Sequence, residues 1–260
     1  MSNCKIFAIA NQKGGVAKTT TACNMGYALL EMGKKVMLVD FDPQANLSMC
    51  VGIERPDEVE NAMPKLLSAA LSEDEMPDVS AYIQMVNGMD IISSSLSLAE
   101  NELNLRDEVG GQMILKNILD PLRDKYDYII IDTNPYLGIL TINALSACDE
   151  VIIPASPHLW SATGLTDLIS TITKVKRKIN KGISIKGILF TICDGNTKLF
   201  KHVTDLIQET YGEEIRIFES KIPRTTKQGE ANYMSTSIFQ HAPKSAAARA
   251  YANFAKEVVA

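Results

Sequence analysis

The sequence predicts an α/β fold with a mostly parallel central sheet and helices on both faces. Three observations carry that prediction. Apolar runs of strand length recur at residues 6–10, 36–39, 126–133 and 150–154, and runs apolar on both faces suit a sheet covered from both sides. Stretches with apolar residues at helical spacing alternate with them, the first marked by Ala22, Met25, Ala28, Leu29 and Met32. The first strand, first helix and second strand fit within about 35 residues, the size of a right-handed βαβ unit with parallel strands.

The remaining elements follow in order. Gly33-Lys34-Lys35 closes the first helix as a terminal glycine followed by cations should. Met63–Leu71 reads as a short helix, Met89–Ile92 as a strand running into Ser93-Ser94-Ser95, and residues 96–105 as a helix with Leu96, Ala99 and Leu103 on one face. Gly110-Gly111 punctuates before one further helical stretch, residues 113–125. Beyond the strands at 126–133 and 150–154 come a helix over Ser161–Lys178, a strand over 185–193, a helix over Lys198–Tyr211 and an alanine-rich helix over Ala246–Val259. Residues 54–110, acidic and broken by Pro56, Pro64 and Pro77, carry no assignable chemistry. One domain spanning residues 1–260 is expected.

Composition narrows the class. The 260 residues are 46% hydrophobic and 22% charged, ordinary for a globular protein. No apolar run reaches the ~18 residues of a membrane span, and with a strand entered at once no signal peptide is expected. Cys4, Cys23, Cys50, Cys148 and Cys193 are scattered singly without metal-site spacing, so they read as core fillers in a reducing cytoplasm. Net charge is −5, but its distribution is uneven: residues 1–150 hold 11 Lys and Arg against 22 Asp and Glu, and residues 151–260 hold 15 against 9. A basic C-terminal part is compatible either with a solvated surface or with a nucleic-acid face.

The chemistry concentrates at Asn11-Gln12-Lys13-Gly14-Gly15-Val16-Ala17-Lys18-Thr19-Thr20, set between the first strand and the first helix. This is the layout of a phosphate-binding loop, in which backbone N–H groups and a helix N-terminus receive phosphates. Lys18 would reach the β- and γ-phosphates and Thr19 would ligate Mg²⁺. The second strand ends in Asp40-Phe41-Asp42-Pro43-Gln44, and the strand at 126–133 ends on Asp132. Acids at strand ends beside a phosphate loop imply an intervening cation.

The strict glycine pattern is not met, because Gln12 and Ala17 stand where it asks for glycines. What is present, Lys-Gly-Gly-x-x-Lys-Thr-Thr, resembles the deviant Walker A box of ParA-type partition and Min-type cell-division ATPases. The methyl of Ala17 is accommodated only where the backbone keeps φ negative, and would otherwise loosen phosphate contact. Asp-x-Asp-Pro-Gln is similar to the second motif of that family, and Asp132 with the residues after it is similar to its Walker B acid and switch loop, with Asn134 replacing a proline. Ile222-Pro223-Arg224 through Lys227-Gln228-Gly229-Glu230-Ala231 resembles the end of small ParA proteins. The resemblance implies a P-loop NTPase domain binding ATP and Mg²⁺ through Lys13, Gly14, Gly15, Val16, Ala17, Lys18, Thr19 and Thr20, with Pro223 near the adenine. It places Thr19, Asp40 and Asp132 around the metal, and gives catalytic roles to Lys18, to Asp42 beside the attacking water, and to Lys13 reaching the phosphates of the other subunit.

The same resemblance implies a slow, switch-like DNA-segregation ATPase: an ATP-bound homodimer, non-specific DNA binding and hydrolysis stimulated by a ParB-type centromere-binding partner. DNA contact falls to Lys198, Arg224 and Lys227, with Asn196 where another Arg is usual. The basic end of the 161–178 helix reads either as a solvated helix end or as a further DNA contact, and Trp160 as packing or an interface anchor. Starting at the first strand, the chain is expected to belong to the small class without an N-terminal helix-turn-helix domain, cytoplasmic and nucleoid-associated when ATP is bound. Two other readings remain: a membrane-associated Min-type regulator and a metabolic P-loop enzyme. The first would end in a helix pairing bulky apolar residues with several cations; here only Arg249 and Lys256 are cations, and the helix is expected to pack on the domain without stable membrane association.

Overall fold

The computed structural model describes residues 4–72, 74–157, 161–195 and 197–260. Trp160 and Asn196 lie outside the described residues. Strands β1 (Lys5–Ile9), β2 (Val36–Phe41), β3 (Gln84–Val86), β4 (Met89–Ile92), β5 (Tyr128–Thr133), β6 (Glu150–Ala155), β7 (Ser184–Cys193) and β8 (Ile217–Pro223) form one sheet. Its order is β3-β4-β2-β5-β1-β6-β7-β8. Every neighbouring pair is parallel except β3 with β4. That hairpin turns on Asn87-Gly88, with φ of 51° and 79°, the residue types and signs of a turn matched to strand twist.

The helices are α1 (Lys18–Glu31), α2 (Asn46–Val51), α3 (Met63–Leu71), α4 (Val79–Tyr82), α5 (Leu98–Asp107), α6 (Ile114–Leu119), α7 (Ile139–Ala147), α8 (Ser161–Lys178), α9 (Lys198–Tyr211), α10 (Thr226–Tyr233), α11 (Ile238–His241) and α12 (Ala246–Val259). Alternation along the strands divides the core in two. Ile6, Ala8, Met37, Val39, Ile129 and Ile131 face the layer of α3, α5, α6, α7, α8 and α9. Phe7, Ile9, Leu38, Ile130, Ile152 and Leu189 face α1, α2, α11 and α12. Gly26 lets α1 lie close on the sheet, since a Cβ there would come within 2.9 Å of Leu38 Cδ2 and 3.1 Å of Met89 Cε.

The expected helix over 113–125 is shorter than its pattern. Single 3₁₀ turns at Gly111–Met113 and Asp120–Leu122 bracket α6, because Pro121 lacks an N–H and its ring excludes the carbonyl four residues back. The C-terminal helix packs as expected. Tyr251, Phe254, Ala255 and Val258 of α12 are buried, and Phe254 meets Phe218 of β8 edge-on with centroids 4.9 Å apart. The apolar face of α12 is therefore spent inside the protein. Among the described residues, no helix is long and apolar enough to cross a membrane.

Candidate functional site

The three motifs converge because their strands are neighbours. β2, β5 and β1 lie side by side mid-sheet, with Ile9 opposite Asp132 and Asp132 opposite Asp40. Ligand sites of open parallel sheets lie beyond such carboxyl ends, where connections leave in opposite directions. From β1 the glycine loop climbs to α1 and is tied at both sides. Asn11 Nδ2 donates to the Pro154 carbonyl at 2.7 Å, and Thr191 Oγ1 donates to the Val16 carbonyl at 2.9 Å.

Inside the loop, Lys18 is buried and its Nζ donates to the Lys13 carbonyl at 3.0 Å. Burial lowers the Lys18 pKa, while Asp132 and then Asp42 act to raise it. Thr19 Oγ1 donates to Asp132 Oδ2 at 2.6 Å. The other carboxylate oxygen, Asp132 Oδ1, is buried without a hydrogen-bond partner. Burial and then the neighbouring Asp40 push the Asp132 pKa well up. Asp40 is fully buried too, and burial raises it to about 7. Its Oδ2 accepts from both the backbone N–H and the hydroxyl of Ser48 at 2.7 Å, and its Oδ1 from the Asp42 N–H at 3.3 Å. Asp40 thus acts on the centre through charge and through the start of α2, with its oxygens already engaged. Asp42 points elsewhere: it lines the cavity above the loop, and its Oδ1 accepts from the Gln44 N–H at 3.0 Å.

Two cavities meet over the loop. The first, about 520 Å³, is lined by Gly14, Lys18, Thr19, Asp42, Cys50 and Pro135, among others. The second, about 300 Å³, is lined by Ile192, Pro223, Arg224, Thr225, Gln228 and Tyr251, among others. Gly15, Ala17 and Thr20 line both. Val16 is buried and Lys13 half-buried, and neither lines either cavity.

Ala17 departs from expectation. Its φ is +63°, not negative. The loop needs a left-handed residue to turn into α1, the conformation a glycine adopts freely and an alanine only with strain. Gly15, with φ +70°, is a glycine where one is required.

The basic residues separate. Lys198 is exposed at the first position of α9. Arg224 pairs with Asp194 at 2.7 Å and Lys227 with Glu230 at 2.9 Å. All three follow the carboxyl ends of β7 or β8. The basic end of α8 lies at the opposite end of the sheet, where Asn180 donates to the Cys148 carbonyl ahead of β6. It shares no surface with Arg224.

A strand–glycine loop–helix cradle, a buried lysine beside a half-buried threonine, and strand-end acids define an ATPase of the P-loop class. The family model described as an AAA domain matches residues 4–185. The chain is 37% identical over 256 residues to the sporulation initiation inhibitor protein Soj of Bacillus subtilis, covering 98% of each. It is 38% identical over 256 residues to the chromosome-partitioning ATPase Soj of Treponema pallidum, covering 98% of this chain and 97% of the relative. It also superposes on the crystal structure of cobyrinic acid a,c-diamide synthase from Mycobacterium smegmatis with bound ATP analog and magnesium (TM-score 0.84, 33% identity, covering 97% and 93% of the two chains). The chain belongs to the ParA/Soj family of partition ATPases.

Several cavity residues escape motif reading. Asn46, Met49 and Cys50 come from α2 and Asn232 from α10, while Gln228 and Gly229 of α10 fall in the Lys227–Ala231 motif without an expected role. Both helices are too short for a periodic stripe; the available signal for α10 is Thr225, which caps it by accepting from the Lys227 N–H at 3.2 Å.

Two predictions follow from this geometry. Ala17→Gly relieves a left-handed alanine and should raise the unfolding free energy by about 1 kcal/mol in urea titration; a loss of stability would contradict the loop conformation. Asp40 has a folded-state pKa raised to about 7, above its unfolded value. The folded state therefore holds the extra proton, and stability falls as pH rises through that range. Asp40→Asn should raise the melting temperature more at pH 8 than at pH 5, by ~2–4 °C for each kcal/mol gained; an equal shift at both pH values would refute the assignment.

Proposed function

We propose that the chain is an ATP-dependent DNA-segregation ATPase working as a nucleotide-gated dimer. The observation that carries this reading is the pair of cavities joined at Gly15, Ala17 and Thr20, one floored by Lys18 and Thr19 and the other walled by Pro223 and Tyr251. A triphosphate fits over the first and a nucleoside over the second. Asp132 Oδ1, buried and unpartnered beside the Thr19 hydroxyl, is the hard oxygen donor that suits Mg²⁺. Thr19 would hold the ion through its hydroxyl oxygen, whose proton is already given to Asp132, with Asp40 adding charge behind them. When bound, Mg²⁺ supplies countercharge to the β- and γ-phosphate oxygens.

The side chains then take distinct tasks. Lys18 exchanges the Lys13 carbonyl for the phosphates, and Asp42 orients the attacking water from the cavity wall. Lys13, whose ammonium has no acidic partner among the described residues, reaches across to a second copy. There it meets negative charge developing in the transition state, as an arginine finger does. Three large apolar side chains are exposed beside cavity-lining positions in the chain: Tyr136 is 60% exposed, Met234 62% and Tyr233 91%. Their neighbours Pro135, Asn232 and Ser235 line the cavity itself, so closure of two copies would bury these side chains.

DNA binding falls to Lys198, Arg224 and Lys227 at the same end of the sheet, by phosphate neutralisation without base readout. Arg224 also lines the nucleoside cavity, which gives nucleotide a direct route to that surface. A ParB-type partner would stimulate hydrolysis and so release DNA. The burial of the α12 apolar face disfavours the membrane-associated reading.

Lys18→Ala should weaken ATP binding by about 30-fold or more, the ~2 kcal/mol minimum for truncating a buried hydrogen-bonded charge. Lys13→Ala should leave binding intact and lower hydrolysis by about 10³-fold, the scale of an arginine finger. Titration calorimetry with single-turnover assays measures both, and full activity of Lys13→Ala would remove the trans-acting lysine. Binding to random-sequence duplex DNA should require ATP and weaken steeply with salt, and Lys198→Ala should reduce the log–log salt slope by about one. Binding indifferent to nucleotide in filter or polarisation assays would defeat the switch.

A further inference from the structure

The five cysteines are not all isolated once the chain is folded. Cys23 sits on α1 one turn beyond Thr19, and Cys50 sits in the last turn of α2. The two helices pack together, and the two cysteines lie close enough for each to shift the other's acidity. Cys50 Sγ also lies 3.7 Å from Asn232 Oδ1 on α10. Although Cys50 is only 6% exposed, the surface it shows faces the phosphate cavity beside Lys18 and Thr19. Cys23 lies behind it, buried in the core. Cys4, Cys148 and Cys193 belong to the core on the other face of the sheet and line neither cavity.

We propose that Cys50 and Cys23 form a redox-active pair, in which hydrogen peroxide entering the phosphate cavity oxidises Cys50 and Cys23 closes a disulfide that shuts off nucleotide binding. The steps balance. The Cys50 thiolate attacks one peroxide oxygen, the O–O bond breaks, and Cys50 becomes a sulfenic acid as the departing hydroxide takes a proton to form water. The Cys23 sulfur then attacks the sulfenic sulfur; the S–O bond breaks, the S–S bond forms, and a second water leaves with the Cys23 proton. Two thiols lose two electrons and the peroxide gains them. A thiol reductant reverses the change by exchange through a mixed disulfide.

The order of attack follows from position and from acidity. Burial pushes the thiols of Cys4 and Cys193 up to about 11 and that of Cys148 higher. Cys50 moves downward instead, through its interaction with Cys23, and the thiolate is the form that reacts. Forming an S–S bond of about 2.0 Å draws α2 onto α1. Asp42 lies in the loop leading into α2 and Lys18 opens α1, so the floor of the phosphate cavity changes shape. An occupant of the cavity would also cover Cys50 and slow its oxidation. The chemistry of the pair stands on its own, whereas its effect on nucleotide binding rests on the proposed function.

The test treats the full chain with stoichiometric hydrogen peroxide and maps peptides without reductant. A linked Cys23–Cys50 peptide is expected, with ATP affinity reduced by about tenfold and restored by dithiothreitol, and with linkage slowed about fivefold by saturating Mg²⁺ and a non-hydrolysable ATP analogue. Cys23→Ala should bind ATP when reduced, form no linkage and accumulate a dimedone-reactive Cys50 sulfenic acid. Both thiols surviving peroxide, or Cys50 pairing elsewhere, overturns the pair. Linkage without loss of ATP affinity overturns the switch. If the reduced protein binds no ATP, the proposed function fails while the peptide map still decides the pair.

Discussion

Two carboxylates buried face to face at the ends of neighbouring strands are the constraint on which the rest of the site depends. Asp40 and Asp132 stand opposite one another on β2 and β5 and are fully buried. Repulsion between them is strong where the dielectric is low, so each needs partners or a proton. Asp40 takes the N–H and hydroxyl of Ser48, which fixes the start of α2. Asp132 takes the Thr19 hydroxyl and the field of Lys18, and one of its oxygens is left over. The glycine loop must therefore hold Lys18 and Thr19 at one spot, and the bonds from Asn11 and Thr191 do so from either side. The fold concentrates negative charge at a point where a divalent cation and a polyanion would complete each other.

Strain gathers at the same place. Ala17 and Ile192 both have positive φ, +63° and +55°, and both line the second cavity. Left-handed backbone is unfavourable for alanine and more so for a β-branched residue. Such positions persist only where surrounding contacts over-determine them. Here the Thr191 hydroxyl grips the Val16 carbonyl, so the residue before Ala17 is tied to the residue before Ile192. One hydrogen bond thus joins the two strained turns and fixes the cavity between them.

Much of this was legible in the sequence. Strands β1, β2, β5, β6 and β7 and helices α1, α8, α9 and α12 announce themselves by pattern, and Lys18, Thr19, Asp42 and Asp132 by motif, whereas β8, whose apolar run is broken by Glu219 and Lys221, does not. Asp40 was legible as a residue but not in its partner, since the bond to Ser48 spans eight positions and looks like nothing in one dimension. Ala17 was visible as a departure from pattern, yet its backbone sign was not, because φ depends on how the loop is tied to β6 and β7. The contact of Cys23 with Cys50 was hidden for a similar reason: isolated cysteines 27 positions apart meet only when α2 folds back onto α1. Pro121 shortened a helix whose apolar pattern ran on past it. The edge strand β3, at three residues, offered no period to read.

The least legible element, α10, is the one that joins the site together. Asn24 on α1 donates to the Thr20 carbonyl and to Gln228 Oε1 at 3.1 Å, and its own oxygen accepts from the Ile238 N–H at 2.9 Å. Gln228 in turn donates to Asn232 Oδ1 at 2.8 Å, which also meets Cys50. This chain of side-chain amides runs from the glycine loop, past the second cavity, to the wall of the first. Between Gln228 and Asn232 on the same two turns sits Glu230, held outward by Lys227 and His241 at 2.9 Å each. A displacement of α10 that re-forms the inner amide contacts must therefore also move the outer ion pairs. In the proposed cycle, that shared helix is the physical reason nucleotide occupancy would reach Lys227: the two sets of contacts sit on one rigid element too short to bend between them.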